Sequence, residues 1–243
     1  MKANTDLSHK TTLLLDLDET TFIALSEKEF AAHGSSHESI KKFKRIHACH
    51  TLSSPIKNNG FYFFLLNAER LKAMIERVYK QGDDIIIFTA GLWLSPVLVI
   101  VSQLCNLEPE YALKFQSSLF LNPQHDGEKL GYSAEATRTL LKGYRLHGLF
   151  RSVETLRSRH FILLDNDAGH ISSCSEIPYI AGIKATTDTE DKGFYDAVIK
   201  EMQASHSSDA SLSPSTMSYY FAGDVLNAFL QLEKQSMTHT PSG

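Results

Sequence analysis

Two aspartates on alternate positions, Asp16 and Asp18, close the apolar run of LLLDLDETTF, residues 13–22. If that run is a β-strand, side chains at i and i+2 point to the same side, so both carboxylates stand within reach of one ligand. Like charges held that close disfavour each other's ionisation; such a pair calls for a cation or a proton. HFILLDNDAGH, residues 160–170, repeats the design with Asp165 and Asp167 and with Asn166 between them. In a parallel sheet the strand C-termini share one edge, and ligands bind there where the strand order switches. The two acidic ends are therefore expected to converge. A cluster of hard oxygen donors of this kind suits Mg²⁺, which takes a few carboxylates, waters and a substrate phosphate.

Two further segments fit the same edge. IIIFTAG, residues 85–91, delivers Thr89, with Ala90 and Gly91 allowing close backbone approach. Lys142, in TLLKGYRLHGL, lies upstream of the second acidic strand, where a helix could aim its ammonium at the edge; Lys114 and Lys129 are rivals for that role. A nucleophile, an acid/base, a hydroxyl, a cation and a metal site together suit phosphoryl transfer, whose problem is mostly alignment and charge neutralisation. Competing chemistries lack their residues. No cysteine has an arginine six positions on, and neither GxxxxGK nor GxGxxG occurs.

These groups need a frame. Short apolar runs alternating with helical periodicity predict an α/β protein with a mainly parallel sheet covered by helices. Strands are expected at Thr12–Leu15, Asp84–Thr89, roughly Ser117–Leu121, Phe161–Leu164 and Tyr179–Ile183. A helix is expected over Ala68–Lys80, capped by Asn67, buried through Leu71, Met74, Ile75 and Val78, and ended by Gly82. Ser95-Pro96 opens another helix with a cap and an N1 proline; more follow at Ala134–Leu146, capped by Ser133, and at Gly193–Gln203. Asp167 has a second possible role, capping the turn after its strand.

The organisation expected is a core over 1–203 carrying an inserted cap or flap at 21–62, a Ser-rich linker at 204–218, and a C-terminal helix and tail at 219–243 that packs back or docks a partner. The insertion holds His33, His37, His47, Cys49 and His50, but their spacing matches no closed zinc template, so they read as part of a polar flap. Its basic run KKFKRIH, 41–47, reads as a solvated helix face, with Arg45 able to grip a phosphate bidentately.

With 243 residues, 42% hydrophobic composition and a net charge of −4, the chain can bury a sizeable core and offers no polybasic surface for nucleic acid. No apolar run is long enough to span a bilayer. MKANTDLSHK shows no apolar signal region, and three scattered cysteines read as reduced thiols. A cytoplasmic protein is expected, or a secreted effector delivered into a host cytoplasm.

DLDETT, FTAG, a lone Lys and LLDND, in this order, resemble the four motifs of the haloacid dehalogenase superfamily, over about Thr12 to Lys200. The wording is similar to that of the phosphatases acting on the RNA polymerase II tail and of bacterial effector-type phosphotyrosine phosphatases. The resemblance implies a Rossmann-like three-layer sandwich and a Mg²⁺-dependent phosphomonoesterase in which Asp16 attacks phosphorus and forms an aspartyl-phosphate. It implies Asp18 as general acid and then base, and Thr89 and Lys142 holding the phosphoryl oxygens. Thr20, Ala90, Gly91 and Arg45 would touch substrate. Asp16, the Asp18 backbone carbonyl, Asp165 and Asn166 would hold Mg²⁺. The implied substrate is a phosphorylated protein or peptide, phosphotyrosine before phosphoserine or phosphothreonine. A small-molecule phosphatase for phosphosugars or nucleotides, or a scaffold built on the same core, are the alternatives.

Overall fold

The computed structural model describes residues 10–91, 93–122, 160–174, 177 and 180–208. Five parallel strands form the central sheet: β1 (Thr11–Leu15), β5 (Asp84–Phe88), β6 (Leu119–Leu121), β7 (His160–Asp165) and β8 (Ile180–Lys184), in the order β6-β5-β1-β7-β8. The chain leaves β1 for β5 and β6 on one side, then crosses to β7 and β8 on the other. The switch of strand order therefore lies at β1 and β7, where the two acidic segments emerge.

Alternation along β1 makes three layers. Leu13, Leu15 and Leu17 join one cluster with Ile85, Ile87, Ile162 and Leu164, under α3 (Ala68–Lys80), α4 (Val97–Leu104) and α7 (Phe194–Ser208). Leu14 faces the other way with Ile86, Leu163 and Cys174, the last on α6 (Ala168–Cys174). Since Leu17 is still fully buried, the period of two persists past the strand's end and leaves Asp16 and Asp18 on a common side. This is a Rossmann-like three-layer α/β sandwich.

Helix α3 has the expected bounds and buries Leu71, Met74, Ile75 and Val78. Asn67 does not cap it. It sits in the left-handed region at φ 49° without a side-chain bond to the helix, because its amide is used elsewhere: Oδ1 accepts from the Thr51 N–H at 3.0 Å and Nδ2 meets His50 Nδ1 at 3.0 Å. Gly82 turns the chain after the helix at φ 82°, where a side chain would be strained. Pro96, expected at N1, takes the cap position of α4, so the helix opens one residue later than expected, and Ser95 contributes its carbonyl to the Leu98 N–H instead of its hydroxyl. The expected strand at Ser117–Leu121 is shorter, because the Ser117 and Ser118 N–H groups close α5 (Pro109–Gln116) onto Leu113 and Phe115 carbonyls. Helix α7 runs past Gln203 into the stretch read as linker; Ser205 there bonds the Thr11 hydroxyl at 2.8 Å and His206 meets Asp83 at 3.2 Å. The expected helix at 134–146, with Ser133, and the segments 209–243 lie outside the described residues.

The insertion after β1 is a packed layer rather than a polar flap. Strands β2 (Phe22–Ser26), β3 (Ile56–Asn58) and β4 (Phe61–Leu65) form an antiparallel sheet in the order β2-β4-β3, with α1 (Glu27–His33) and α2 (His37–Lys44) between β2 and β3. One face, through Phe22, Phe63 and Leu65, belongs to the main core; the other buries Ile23, Leu25, Phe64 and Leu66 against Ile40 of α2. The layer thus extends to Leu65, beyond the expected end at 62. Ser26 and Glu29 form a full capping box on α1. The histidines go to packing and backbone: His33 stacks on Phe43 at 4.1 Å, His37 makes a T-shaped contact with Phe64, and His47 Nδ1 accepts from the Cys49 N–H.

Candidate active-site cleft at the switch of the sheet

The C-terminal edge of the sheet opens into a cleft of about 770 Å³ whose walls include Asp16, Asp18, Ala90, Gly91, Asp165 and Asn166. Asp16 continues the β1–β7 ladder, donating its N–H to the Leu164 carbonyl at 3.0 Å; this seats it beside the end of β7. Its carboxylate is nearly buried, at 4% exposure, and Thr20 fixes its rotation by donating its hydroxyl to Oδ2 at 2.9 Å. Thr21 donates to the Asp16 carbonyl at 2.7 Å. Thr20 itself is fully buried and lies 3.4 Å from Asn166 Oδ1. It is therefore a positioning residue, not the substrate contact expected from the sequence.

Asp18 is held from the β5 side. The Trp93 indole Nε1 donates a short hydrogen bond to its Oδ1, and a Cβ at Gly91 would stand 1.9 Å from its Oδ2. Only the missing side chain at 91 lets the carboxylate lie there. Asn122, buried just after β6, clamps this loop by donating to the Gly91 carbonyl at 2.8 Å and the Trp93 carbonyl at 3.0 Å. Trp93 is packed edge-on against Phe22, Phe61 and Phe63 of the inserted sheet, so that layer locates the group that locates Asp18.

Asp165 is 1% exposed. Its Oδ1 accepts the Asp167 N–H at 2.8 Å, and its Oδ2 lies 3.2 Å from His170 Nδ1. Asp167 does cap the following turn: its Oδ1 accepts from the Gly169 and His170 N–H groups. Asp16 and Asp165, both nearly buried on neighbouring strand ends, supply two hard carboxylates to one cleft, with the Asn166 amide oxygen close by. No group of three or more His, Cys, Asp or Glu side chains among the described residues is arranged to hold a metal ion. The set read from the sequence does not require one, because its other donors are the Asp18 backbone carbonyl and Asn166. Two carboxylates completed by neutral oxygens fit Mg²⁺, which keeps several waters.

Not every expected residue reaches the cleft. Thr89 is fully buried behind its wall, with its N–H on the Leu121 carbonyl and its hydroxyl accepting from the Gly91 N–H at 3.3 Å. Arg45 lies in an adjoining pocket. Lys114 is excluded as the cleft's cation: it points outward on α5 and pairs with Glu110 at 2.7 Å. Lys142 and Lys129 lie outside the described residues. Among the described residues the cation that lines the cleft is Lys44, at the end of α2, 3.9 Å from Glu29. Sequence reading passed over Lys44, Trp93, Asn122 and His170. The basic run 41–47 and the residues two or three places after FTA carried the only signals for the first two. Cysteine chemistry is not in play here: burial pushes the Cys105 thiol up to about 12, and no cysteine lines the cleft.

The sequence matches no protein-family model, and no curated protein matches it. Fold and site alone define the class: an α/β protein with an acidic cleft at the switch of an all-parallel sheet. Among the described residues no helix is long and apolar enough to cross a membrane.

Proposed function

We propose that the chain is a Mg²⁺-dependent phosphomonoesterase of the haloacid dehalogenase type, acting on phosphoprotein. The observation that carries this reading is the pairing of a rotation-locked Asp16 beside Asp165 with an Asp18 held by Trp93 in the same cleft. Asp16 attacks phosphorus, forming the aspartyl-phosphate while the bond to the leaving oxygen breaks. Asp18 gives its proton to that oxygen, then takes one from the water that attacks the aspartyl-phosphate and releases inorganic phosphate. Asp16, the Asp18 carbonyl, Asp165 and Asn166 would hold Mg²⁺, which when bound offsets the repulsion between an anionic nucleophile and an anionic substrate. His170 orients Asp165 in the manner of a hydrogen-bond partner behind a metal ligand.

Part of the cleft wall is apolar, formed by Phe61 and Trp93, whose rings meet edge to face, and Phe61 is 37% exposed. A flat apolar leaving group such as a tyrosyl ring gains from that wall, which supports phosphotyrosine over phosphoserine. The decisive experiment is hydrolysis of a generic aryl phosphate with and without Mg²⁺, using Asp16→Asn as control. Turnover that needs Mg²⁺ and disappears in Asp16→Asn is expected; turnover that survives the substitution rejects Asp16 as the nucleophile. A folded wild-type protein with no turnover of any phosphomonoester rejects the enzyme reading.

A further inference from the structure

Among the described residues six carboxylates line the cleft, Asp16, Asp18, Glu19, Glu29, Asp165 and Asp167, against one lysine, Lys44. Beyond Glu19, Lys44 and Asn166, which belong to both walls, the surface continues into a second pocket of about 500 Å³ that adds Arg45 and Lys184. Its charge is the reverse of the cleft's, three cations against Glu19 and Asp188.

The arrangement is built rather than incidental. Lys184 is the register partner of Asp165 on the neighbouring strand, so its side chain leaves the sheet edge in the same direction. Arg45 sits at φ 56° in the left-handed cap of α2, its N–H bonded to the Lys41 and Lys42 carbonyls. The two are fixed relative to each other by the His47 N–H, which donates to the Thr187 carbonyl at 2.6 Å and ties the end of α2 to the loop after β8. Among the described residues neither Arg45 nor Lys184 has an ion-pair partner.

We propose that this pocket is a second anion subsite: it takes a carboxylate or a further phosphate carried by the same substrate molecule whose phosphomonoester lies in the cleft. The inference rests on the phosphatase reading for the occupant of the cleft. The guanidinium of Arg45 suits a bidentate grip on either anion, and Lys184 adds a point charge. The substrate is thereby oriented, with the reacting phosphate at Asp16 and its acidic flank toward β8 and α2.

The test is equilibrium binding, by fluorescence anisotropy, of labelled phosphotyrosine peptides to the full chain carrying Asp16→Asn with Mg²⁺ present. Peptides carry glutamate, a second phosphate or glutamine at positions flanking the phosphotyrosine on either side. A preference of roughly three- to ten-fold for an anion on one side only is expected, falling as salt rises. Combining Arg45→Gln with Lys184→Gln should bring that ratio to one. Glutamate and phosphate peptides, compared directly, tell which anion the pocket is built for. Equal binding of acidic and neutral peptides, a preference that survives the double substitution, or no binding at all overturns the subsite. Turnover of aryl phosphate by the wild-type chain is measured in parallel, so that failure of the phosphatase reading is seen separately from failure of the subsite.

Discussion

Replacing Gly91 by alanine separates catalysis from folding in this cleft. The added Cβ would lie 1.9 Å from Asp18 Oδ2, where ordinary contact begins at 3.4 Å, so the carboxylate has to retreat by about 1.5 Å. The obstructing atom is the tip of a side chain, and the φ of Gly91 is outside the left-handed region; the backbone can stay where it is. Retreat breaks the hydrogen bond from Trp93 Nε1. Such a charge-assisted bond is worth about 1.5–3 kcal/mol when buried, and less for the partly exposed Asp18. Alanine returns about 0.4–1 kcal/mol through the unfolded chain. Net stability should therefore fall by at most about 2 kcal/mol in urea unfolding. Activity should move far more. A misplacement on the order of 1 Å costs about 10²-fold, and full loss of the acid/base about 10²–10⁴-fold. The assay is kcat on aryl phosphate at saturating Mg²⁺, for Gly91→Ala, Asp18→Asn and the double variant. The double should be no worse than Asp18→Asn alone. If Gly91→Ala stays within threefold of the parent while Asp18→Asn is inactive, the close approach at residue 91 is not what positions the acid.

Other perturbations reach the site through its supports. Trp93→Phe keeps a ring against Phe22, Phe61 and Phe63, though a smaller one, and removes the N–H, so kcat should fall roughly ten- to a hundred-fold with KM for a small phosphate nearly unchanged; an unchanged kcat would show that the indole N–H does not position the acid. Tyr195, fully buried on α7, donates to the Thr20 carbonyl at 2.8 Å; Tyr195→Phe should cost about 1–3 kcal/mol of unfolding free energy, and a loss below a few tenths would remove that bond from the account. His50 carries a pH prediction. Asn67 Oδ1 is occupied as acceptor, so its Nδ2 donates to His50 Nδ1, and His50 Nε2–H donates to the Thr189 carbonyl at 3.2 Å. Burial holds the His50 pKa below its usual 6.5. The unfolded chain then binds a proton that the native state refuses, so stability is present above about pH 6.5 and is lost as the pH falls toward the folded value. His50→Asn should be less stable than the parent at pH 7.5 by about 1–3 kcal/mol, and the gap should narrow on acidification to pH 5; a gap that stays constant would deny His50 any role in the acid limb.

Local pattern was enough where one rule acted alone. The stripe Leu71, Met74, Ile75 and Val78 fixed α3 to its terminal residues, and the apolar runs before Asp16 and Asp165 marked the two strands that carry the chemistry. Local rules failed where a tertiary partner outbid them. Asn67 had the chemistry of a cap but gave its amide to Thr51 and His50. Ser205 and His206 looked like linker composition but found Thr11 and Asp83, which extended α7. The inserted layer was hidden because its charged and histidine-rich helices dominate the composition, although FIALS and FYFFL alternate as strands that bury both faces.

By itself the sequence determined that two carboxylate-ended strands would stand in a parallel sheet with helices around them, because apolar runs and their punctuation depend only on nearest neighbours along the chain. Tertiary structure decided which groups those carboxylates meet. Trp93 and Gly91 reach Asp18, Thr20 turns inward to Asp16, Thr89 withdraws behind the wall, and Lys44 comes to the cleft from a layer inserted ahead of α3. Those pairings are contacts through space between segments whose separation along the chain carries no period. They exist only once packing has brought the segments together.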